Sequence, residues 1–306
     1  MKKHGSGRSD IAYVLAYLAI YATLLVLLNR FEGFSVAEPL LIFAIVGGGF
    51  SLVAWWLTRK SVPLALTVKQ PRNESVLLLC YAGVLAAYLA WGRSWITIRA
   101  EPLQSVVILT VKLTLFVLVP LLLLRAIWKY RVTDLLVMTR EAGRHATTAV
   151  WMSVTLIAFQ FVFGRGLADF RQSGLPAYAL VLGVPFVYLL LLIEVGLVEE
   201  FFFRVLVQSR LAAWLKSEVG GIVVMSLLFG LAHAPGLYYR TGATSEGLGP
   251  HPSWLMAVGY SIVMVSVTGF FLGILWARTR NLLLVMTVHA AGDLVPNLIP
   301  MLKNWV

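Results

Sequence analysis

A series of long apolar segments constrains this chain more than any other feature. About nine segments approach or exceed the roughly 20 residues that a helix needs to cross a bilayer. Several are apolar all round rather than along one stripe, which is typical of membrane helices. The sequence therefore predicts an all-α fold, a polytopic transmembrane helical bundle of about eight to nine spans. The segments are Ile11–Leu28, Pro39–Leu57, Ser75–Trp91, Val106–Leu124, Ala146–Phe163, Ala177–Arg204, Gly220–Ala234, Trp254–Trp276 and Leu282–Leu298.

Two of these segments have unusual lengths. The sixth belongs to a longer apolar stretch, Leu175–Leu215, which exceeds one span. The seventh is short, because Pro235 and Gly236 are expected to end its helix.

Composition and charge agree with a membrane protein. Hydrophobic residues make up 59% of the 306 residues and charged residues 13%, against about 45–50% and about 25% in soluble domains. This composition excludes a disordered chain and most soluble enzymes, and a single cysteine, Cys80, excludes an internal disulfide. The net charge of +11 is carried by residues between the apolar segments. They are interpreted as topology signals, so the expected partner is the lipid bilayer and not nucleic acid.

The distribution of basic residues also predicts orientation and organisation. Most of the 25 Lys and Arg residues lie in the N-terminal tail and in alternate loops. By the positive-inside rule the N-terminus is cytoplasmic. The expected location is a bacterial cytoplasmic membrane, which the chain crosses several times. The charged connection Arg125–Arg144 divides the chain into an N-terminal four-helix region of unknown role, 1–145, and a second region, 146–306.

Ionisable side chains inside the apolar segments are the candidate functional residues. Each costs about 2.5–3.5 kcal/mol at the centre of a spanning helix, so each needs a reason to be there. One stands in the N-terminal region: Lys112 either snorkels to the interface or meets a carboxylate from the second region. The others form three clusters in 146–306.

The first cluster contains Glu194, Glu199, Glu200 and Arg204. Glu200 and Arg204 are four residues apart, so they share a helix face and can pair. Glu199 points about 100° away and is available as a general base. Glu194 can line a polar cavity in the same helix. The structural alternative is a buried ion pair with Glu199 as a solvated neighbour.

The second and third clusters contain histidines. His233 follows an apolar run and is interpreted either as a catalytic imidazole or as a helix cap or buried structural group. His289 and Asp293 lie on one helix face. The aspartate can fix the histidine tautomer, both can bind a metal, or the pair is structural.

A hairpin would bring the first two clusters to one depth. With a turn near Ser217, Glu199 and His233 lie roughly 27 Å and 24 Å from it at about 1.5 Å per residue. A carboxylate beside an imidazole can deprotonate and orient a water molecule, and the third cluster can face the developing oxyanion.

The order and spacing of these residues resemble the motif series of the CAAX protease and bacteriocin-processing enzyme family. These are membrane-embedded endopeptidases that include the prenyl-protein (Ras-converting) proteases. The resemblance covers 146–306, and the first four helices carry none of its motifs. The motifs in this chain are Glu199-Glu200-x-x-x-Arg204, Phe229-x-x-x-His233 and His289-x-x-x-Asp293.

The resemblance implies a role for each motif residue. Glu199 and His233 would activate the attacking water, and Glu200 and Arg204 would hold the geometry of the site. His289 and Asp293 would correspond to the oxyanion-side pair. The prenyl-protein proteases usually carry asparagine at the last position. An ionised Asp293 would repel an oxyanion, so this residue must be protonated, orient His289 or bind a metal.

The sequence thus predicts an intramembrane endopeptidase of glutamic type that acts on a membrane-anchored peptide or protein. No cofactor is expected. The alternative is a metal-dependent protease that uses a divalent metal such as zinc, although no His-Glu-x-x-His helix is present. Two further alternatives are a non-catalytic immunity or scaffold protein and a proton-coupled transporter. The transporter is disfavoured, because two matching halves with broken helices are not apparent.

Overall fold

A computed structural model describes residues 7–91, 103–135, 142–164, 166–239, 248 and 251–305. These residues form helices and the turns between them, and none of them lies in a strand. The α-helices are α1 Gly7–Glu32, α2 Ala37–Ile42, α3 Ser51–Leu57, α4 Pro71–Trp91, α5 Leu103–Leu113, α6 Val119–Trp128, α7 Val132–Leu135, α8 Ala142–Phe163, α9 Gly166–Arg171, α10 Ala177–Leu191, α11 Ser209–Leu215, α12 Glu218–Tyr239, α13 Trp254–Tyr260, α14 Ser266–Thr279 and α15 Leu282–Trp305.

Stretches of π-helix, in which each turn contains an extra residue, join several of these α-helices end to end. They are Phe43–Phe50, Thr114–Leu118, Leu192–Leu197, Glu200–Gln208 and Ser261–Val265.

Eight helical runs among the described residues are long and apolar enough to cross a membrane. The predicted all-α polytopic architecture is therefore confirmed, and the chain is an integral, multi-pass membrane protein. The runs are Gly7–Glu32, Ala37–Leu57, Leu103–Trp128, His145–Phe163, Tyr178–Leu215, Glu218–Tyr239, Trp254–Thr279 and Leu282–Lys303.

The third predicted span corresponds to α4, which is not one of the eight runs. It is nevertheless a helix of 21 residues, and its end adjoins a gap in the described residues. Whether the chain crosses the membrane eight or nine times stays a prediction.

The seventh predicted span is longer than expected. Pro235 lies inside α12, and the helix continues to Tyr239, so the prediction that Pro235 and Gly236 end the helix is wrong. A proline removes only one backbone donor, and membrane helices tolerate this loss when their surroundings compensate for it. The resulting helix has 22 residues, which is sufficient for a span.

The chain divides into two compact units that do not follow its linear order. The first contains 1–59, 65–96 and 206–278, and the second contains 60–64, 97–205 and 279–306. The predicted functional division into 1–145 and 146–306 stays a prediction.

In the first unit, small residues allow close helix packing around α12. A side chain added at Gly230 would meet the Ser261 carbonyl oxygen at 2.6 Å, and one at Gly269 would meet Ser226 at 2.8 Å. Small residues at such contacts are typical of membrane helix interfaces. The turn between α11 and α12 occurs at Lys216, which has a left-handed φ of 51°. The hairpin turn predicted near Ser217 is thus confirmed.

In the second unit, α10 packs against α15. Their shared apolar core consists of Val187, Leu191, Ala290, Leu294, Leu298, Ile299 and Leu302. A side chain added at Gly196 would meet the backbone oxygen of Met286 at 2.9 Å. This close approach brings the helix that carries Glu199 and Glu200 next to the helix that carries His289.

Candidate active site

Glu200 is the centre of a buried polar network in the second unit. One carboxylate oxygen, Oε1, lies 2.7 Å from Nδ1 of His289, and the other, Oε2, lies 3.2 Å from Nε of Arg204. The side chains of Glu200 and Arg204 are fully buried. Because a carboxylate only accepts hydrogen bonds when ionised, Nδ1 of His289 carries the proton that it donates to Glu200. Glu200 thus links Arg204 to His289.

The predicted pairing of Glu200 with Arg204 is present as an ion pair at i,i+4 spacing. The contact between Glu200 and His289 joins residues 89 positions apart and was not predicted. The helical period predicts which side chains of one helix lie next to each other. The contact between Glu200 and His289 depends instead on how two helices pack.

Glu199 differs from its neighbour. It is half-buried, and its Oε2 atom accepts no hydrogen bond from the residues that the structure describes. The two adjacent carboxylates therefore have different surroundings. Glu200 makes a hydrogen bond with His289 and an ion pair with Arg204, whereas Oε2 of Glu199 accepts no hydrogen bond from those residues.

His289 and Asp293 stand on one face of α15, as predicted. Nε2 of His289 lies 3.9 Å from Oδ2 of Asp293, which is within ion-pair range but beyond a hydrogen bond. The His289 side chain is 10% exposed and that of Asp293 is 37% exposed. The network is therefore buried at Arg204 and Glu200 and reaches the surface of its unit at Asp293.

Helix α8 also contacts the site. Its Gln160 side chain donates from Nε2 to the Gly292 carbonyl oxygen at 3.3 Å, next to Asp293. Gln160 was not among the predicted site residues. The available signal was an amide side chain in an otherwise apolar span.

The two ionisable residues of uncertain role meet each other. Nζ of Lys112, in α5, lies 2.8 Å from Oε1 of Glu194, in the π-helical stretch before the glutamate pair. A second contact between the same helices joins Phe116 and Phe202, whose rings are 5.4 Å apart and nearly perpendicular. Of the two roles predicted for Lys112, pairing with a carboxylate of the second region is the one observed.

His233 belongs to the first unit and lies on α12. Its Nδ1 atom is 2.8 Å from the Phe229 carbonyl oxygen. A carbonyl only accepts hydrogen bonds, so Nδ1 is the protonated nitrogen, and Nε2 of the neutral ring is the basic one. Phe229 also packs its ring 4.9 Å from the imidazole. The predicted approach of His233 to Glu199 stays a prediction.

Within the described ranges, no group of three or more His, Cys, Asp and Glu side chains is arranged to hold a metal ion. The metal-dependent alternative stays a prediction.

Comparison with known families supports the predicted resemblance. Residues 181–295 match the family described as "Type II CAAX prenyl endopeptidase Rce1-like". The matched segment contains Glu199, Glu200, Arg204, His233 and His289, and it extends through Asp293. The resemblance to the CAAX protease family is thus confirmed over this segment, and it indicates a membrane protease. No curated protein and no solved structure matches the chain.

Proposed function

We propose that this protein is an intramembrane endopeptidase of glutamic type, which hydrolyses a peptide bond in a membrane-anchored protein or peptide. The observation that carries the proposal is the asymmetry of the two glutamates. Glu200 is engaged by Arg204 and His289, whereas Oε2 of Glu199 accepts no hydrogen bond from the described residues. This is the arrangement expected of one structural and one reactive carboxylate.

Glu199 and His233 are assigned to the attacking water. Glu199 takes a proton from the water as it attacks the scissile carbonyl, and Nε2 of His233 accepts a hydrogen bond that orients the same water. The protonated base then gives its proton to the leaving amine, as general acid–base catalysis requires. The Nδ1 bond of His233 to Phe229 supports this role because it fixes the tautomer with a basic Nε2.

His289 is assigned to the oxyanion side. Glu200 fixes its ring through Nδ1, so a second ring proton would lie on Nε2, on the side of Asp293. Such a donor stabilises the negative charge that develops on the carbonyl oxygen. Asp293 is then an orienting group for His289 and not itself an oxyanion donor.

Purified protein with membrane-anchored peptide substrates provides the test. The substrates should include matched prenylated and unprenylated CAAX tails and a library of other anchored sequences. We expect cleavage by the wild type, loss of cleavage in Glu199→Gln and His233→Ala, and full activity in the control Glu38→Gln. Glu38 is an exposed glutamate in α2, in the first unit.

A strong chelator separates the two protease mechanisms. Cleavage that survives the chelator and is lost in Glu199→Gln supports the glutamic mechanism. Cleavage that the chelator abolishes, and that added zinc restores, contradicts it and assigns His289, Asp293 and the glutamates to a metal site. A folded wild type that cleaves no substrate in the library contradicts the proposal and favours a non-catalytic scaffold.

A further inference from the structure

Pro296 leaves a backbone carbonyl without its helical partner next to the candidate site. It lies inside α15, and the carbonyl four residues before it belongs to Gly292. In an α-helix this carbonyl accepts from the backbone N–H at position 296, which a proline lacks. An unsatisfied carbonyl is costly inside a membrane protein, where water is scarce.

A side chain from another helix donates a hydrogen bond to this carbonyl. Nε2 of Gln160 donates to the Gly292 oxygen at 3.3 Å, at the long end of the usual range. Leu156, one turn earlier on α8, would be 3.9 Å from a side chain added at Gly292. One face of α8 therefore packs closely on the turn of α15 that contains the missing bond.

This turn is also the turn that carries the third motif. Gly292 directly precedes Asp293 and lies three residues after His289. The next carbonyl, that of Asp293, accepts a bond at 2.8 Å from Nδ2 of Asn297. Side-chain amides thus bind two successive carbonyls where the helical ladder of α15 is interrupted.

We infer that Gln160 is a positioning residue of the site: its amide replaces the N–H that Pro296 lacks and so holds Asp293 and His289 in register with Glu200. The inference rests on the proposed function. Without the amide, α15 must bend or rotate at Gly292 to satisfy the carbonyl, since kinks form where the ladder is broken. Asp293 would then move relative to Nε2 of His289.

A double-mutant cycle with Pro296 tests this inference. Gln160→Leu keeps the approximate size of the side chain and removes the donor. Pro296→Ala restores the backbone N–H, so it makes the Gln160 amide dispensable. We expect Gln160→Leu to lower kcat by about tenfold to a hundredfold, as misplacement of catalytic groups does, and to change KM much less. In the Pro296→Ala background, the same substitution is expected to change kcat less than about twofold.

Thr155→Val is the matched control on α8. The Thr155 hydroxyl bonds to the carbonyls of Trp151 and Met152 in its own helix, so its removal is expected to leave kcat unchanged. Wild-type kcat in Gln160→Leu, or an equal loss of kcat in both proline backgrounds, would overturn the inference.

Thermal unfolding of the four proteins in detergent gives a readout that needs no substrate. We expect Gln160→Leu to lower the Tm in the wild-type background and to have little effect beside Pro296→Ala. An inactive wild type with this coupling would refute the proposed function but leave the link between Gln160 and Pro296 intact. A wild type that cleaves, without coupling in either readout, would refute the inference alone.

Discussion

At the scale of single residues, the two adjacent glutamates should respond differently to the same substitution. Glu199→Gln removes the proposed base but breaks no hydrogen bond from the described residues to Oε2, so we expect cleavage to fall by about 10²–10⁴ with a smaller loss of Tm than in Glu200→Gln. Glu200→Gln removes the ion-pair partner of the buried Arg204. The expected destabilisation is about 3–5 kcal/mol, together with loss of activity. Thermal unfolding beside a cleavage assay measures both effects, and a larger loss of Tm in Glu199→Gln than in Glu200→Gln would contradict the assignment.

Asp293 is expected to orient His289 through a carboxylate oxygen, so its shape matters more than its charge. An asparagine has the same shape and retains an oxygen that can orient Nε2 of His289, whereas leucine has no such oxygen. We therefore expect Asp293→Asn to retain more activity than Asp293→Leu, with kcat reduced no more than about tenfold in the asparagine variant. If the asparagine variant were faster than the wild type, Asp293 would not be the orienting group, since a neutral donor at this position would then serve the oxyanion better.

At the scale of helices, the ion pair between Lys112 and Glu194 joins α5 to the helix that carries the glutamate pair. Side-chain exposures of 34% and 22% show that the pair is incompletely buried, yet both residues lie within membrane-crossing runs. Such residues are expected to face a bundle interior or a water-filled cavity.

We expect Lys112→Met and Glu194→Gln each to lower the Tm, because each leaves one charge at membrane depth without its partner. The exchanged pair, Lys112→Glu with Glu194→Lys, should recover most of the loss. Thermal unfolding in detergent of the wild type, Lys112→Met, Glu194→Gln and the double variant that combines these two substitutions forms a complete cycle, with the exchanged pair measured beside it. Strictly additive effects would show that the contact contributes no coupling energy.

The helical scale also shows what sequence alone predicts well. The spans follow from the length of apolar segments and the pairing of Glu200 with Arg204 from the helical period, so a single segment predicts each of them, except that α4 is not one of the eight runs. The contacts from His289 to Glu200 and from Gln160 to Gly292 depend on how separate helices pack, so no local period reveals them. The end of α12 was mispredicted at Pro235, because the rule for helix ends derives from helices whose freed carbonyls can bind water.

At the scale of the whole molecule, the distribution of basic residues predicts an N-terminus in the cytoplasm. The chain has one cysteine, so Cys80→Ser provides a cysteine-free background. We expect a membrane-impermeant thiol reagent applied to intact cells to label Ser35→Cys, between α1 and α2, and not Ser6→Cys. Ser6→Cys should be labelled only after permeabilisation. The reverse labelling pattern would show that the N-terminus is outside the cell and would contradict the predicted orientation.

The two compact units cut across the order of the chain. The sequence divides most naturally at the charged connection after Arg125, whereas compactness groups α5 to α10 with α15. The motif residues Glu199, Glu200 and His289 share a unit although they are far apart in sequence, and His233 belongs to the other unit. Hydropathy shows where the chain crosses the bilayer, but it contains little information on which crossings pack together.

The wide helical turns around the glutamate pair have a consequence for the evolution and engineering of this protein. The stretches Leu192–Leu197 and Glu200–Gln208 place one more residue in each turn than an α-helix does. Deleting a single residue within such a wide turn can convert it to ordinary α-helix, and the side chains beyond the deletion then keep approximately their original faces. The same deletion in a regular α-helical stretch would rotate every later side chain by about 100° about the helix axis. One-residue length differences confined to these two stretches should therefore disturb the acidic pair less than the same differences elsewhere in the run.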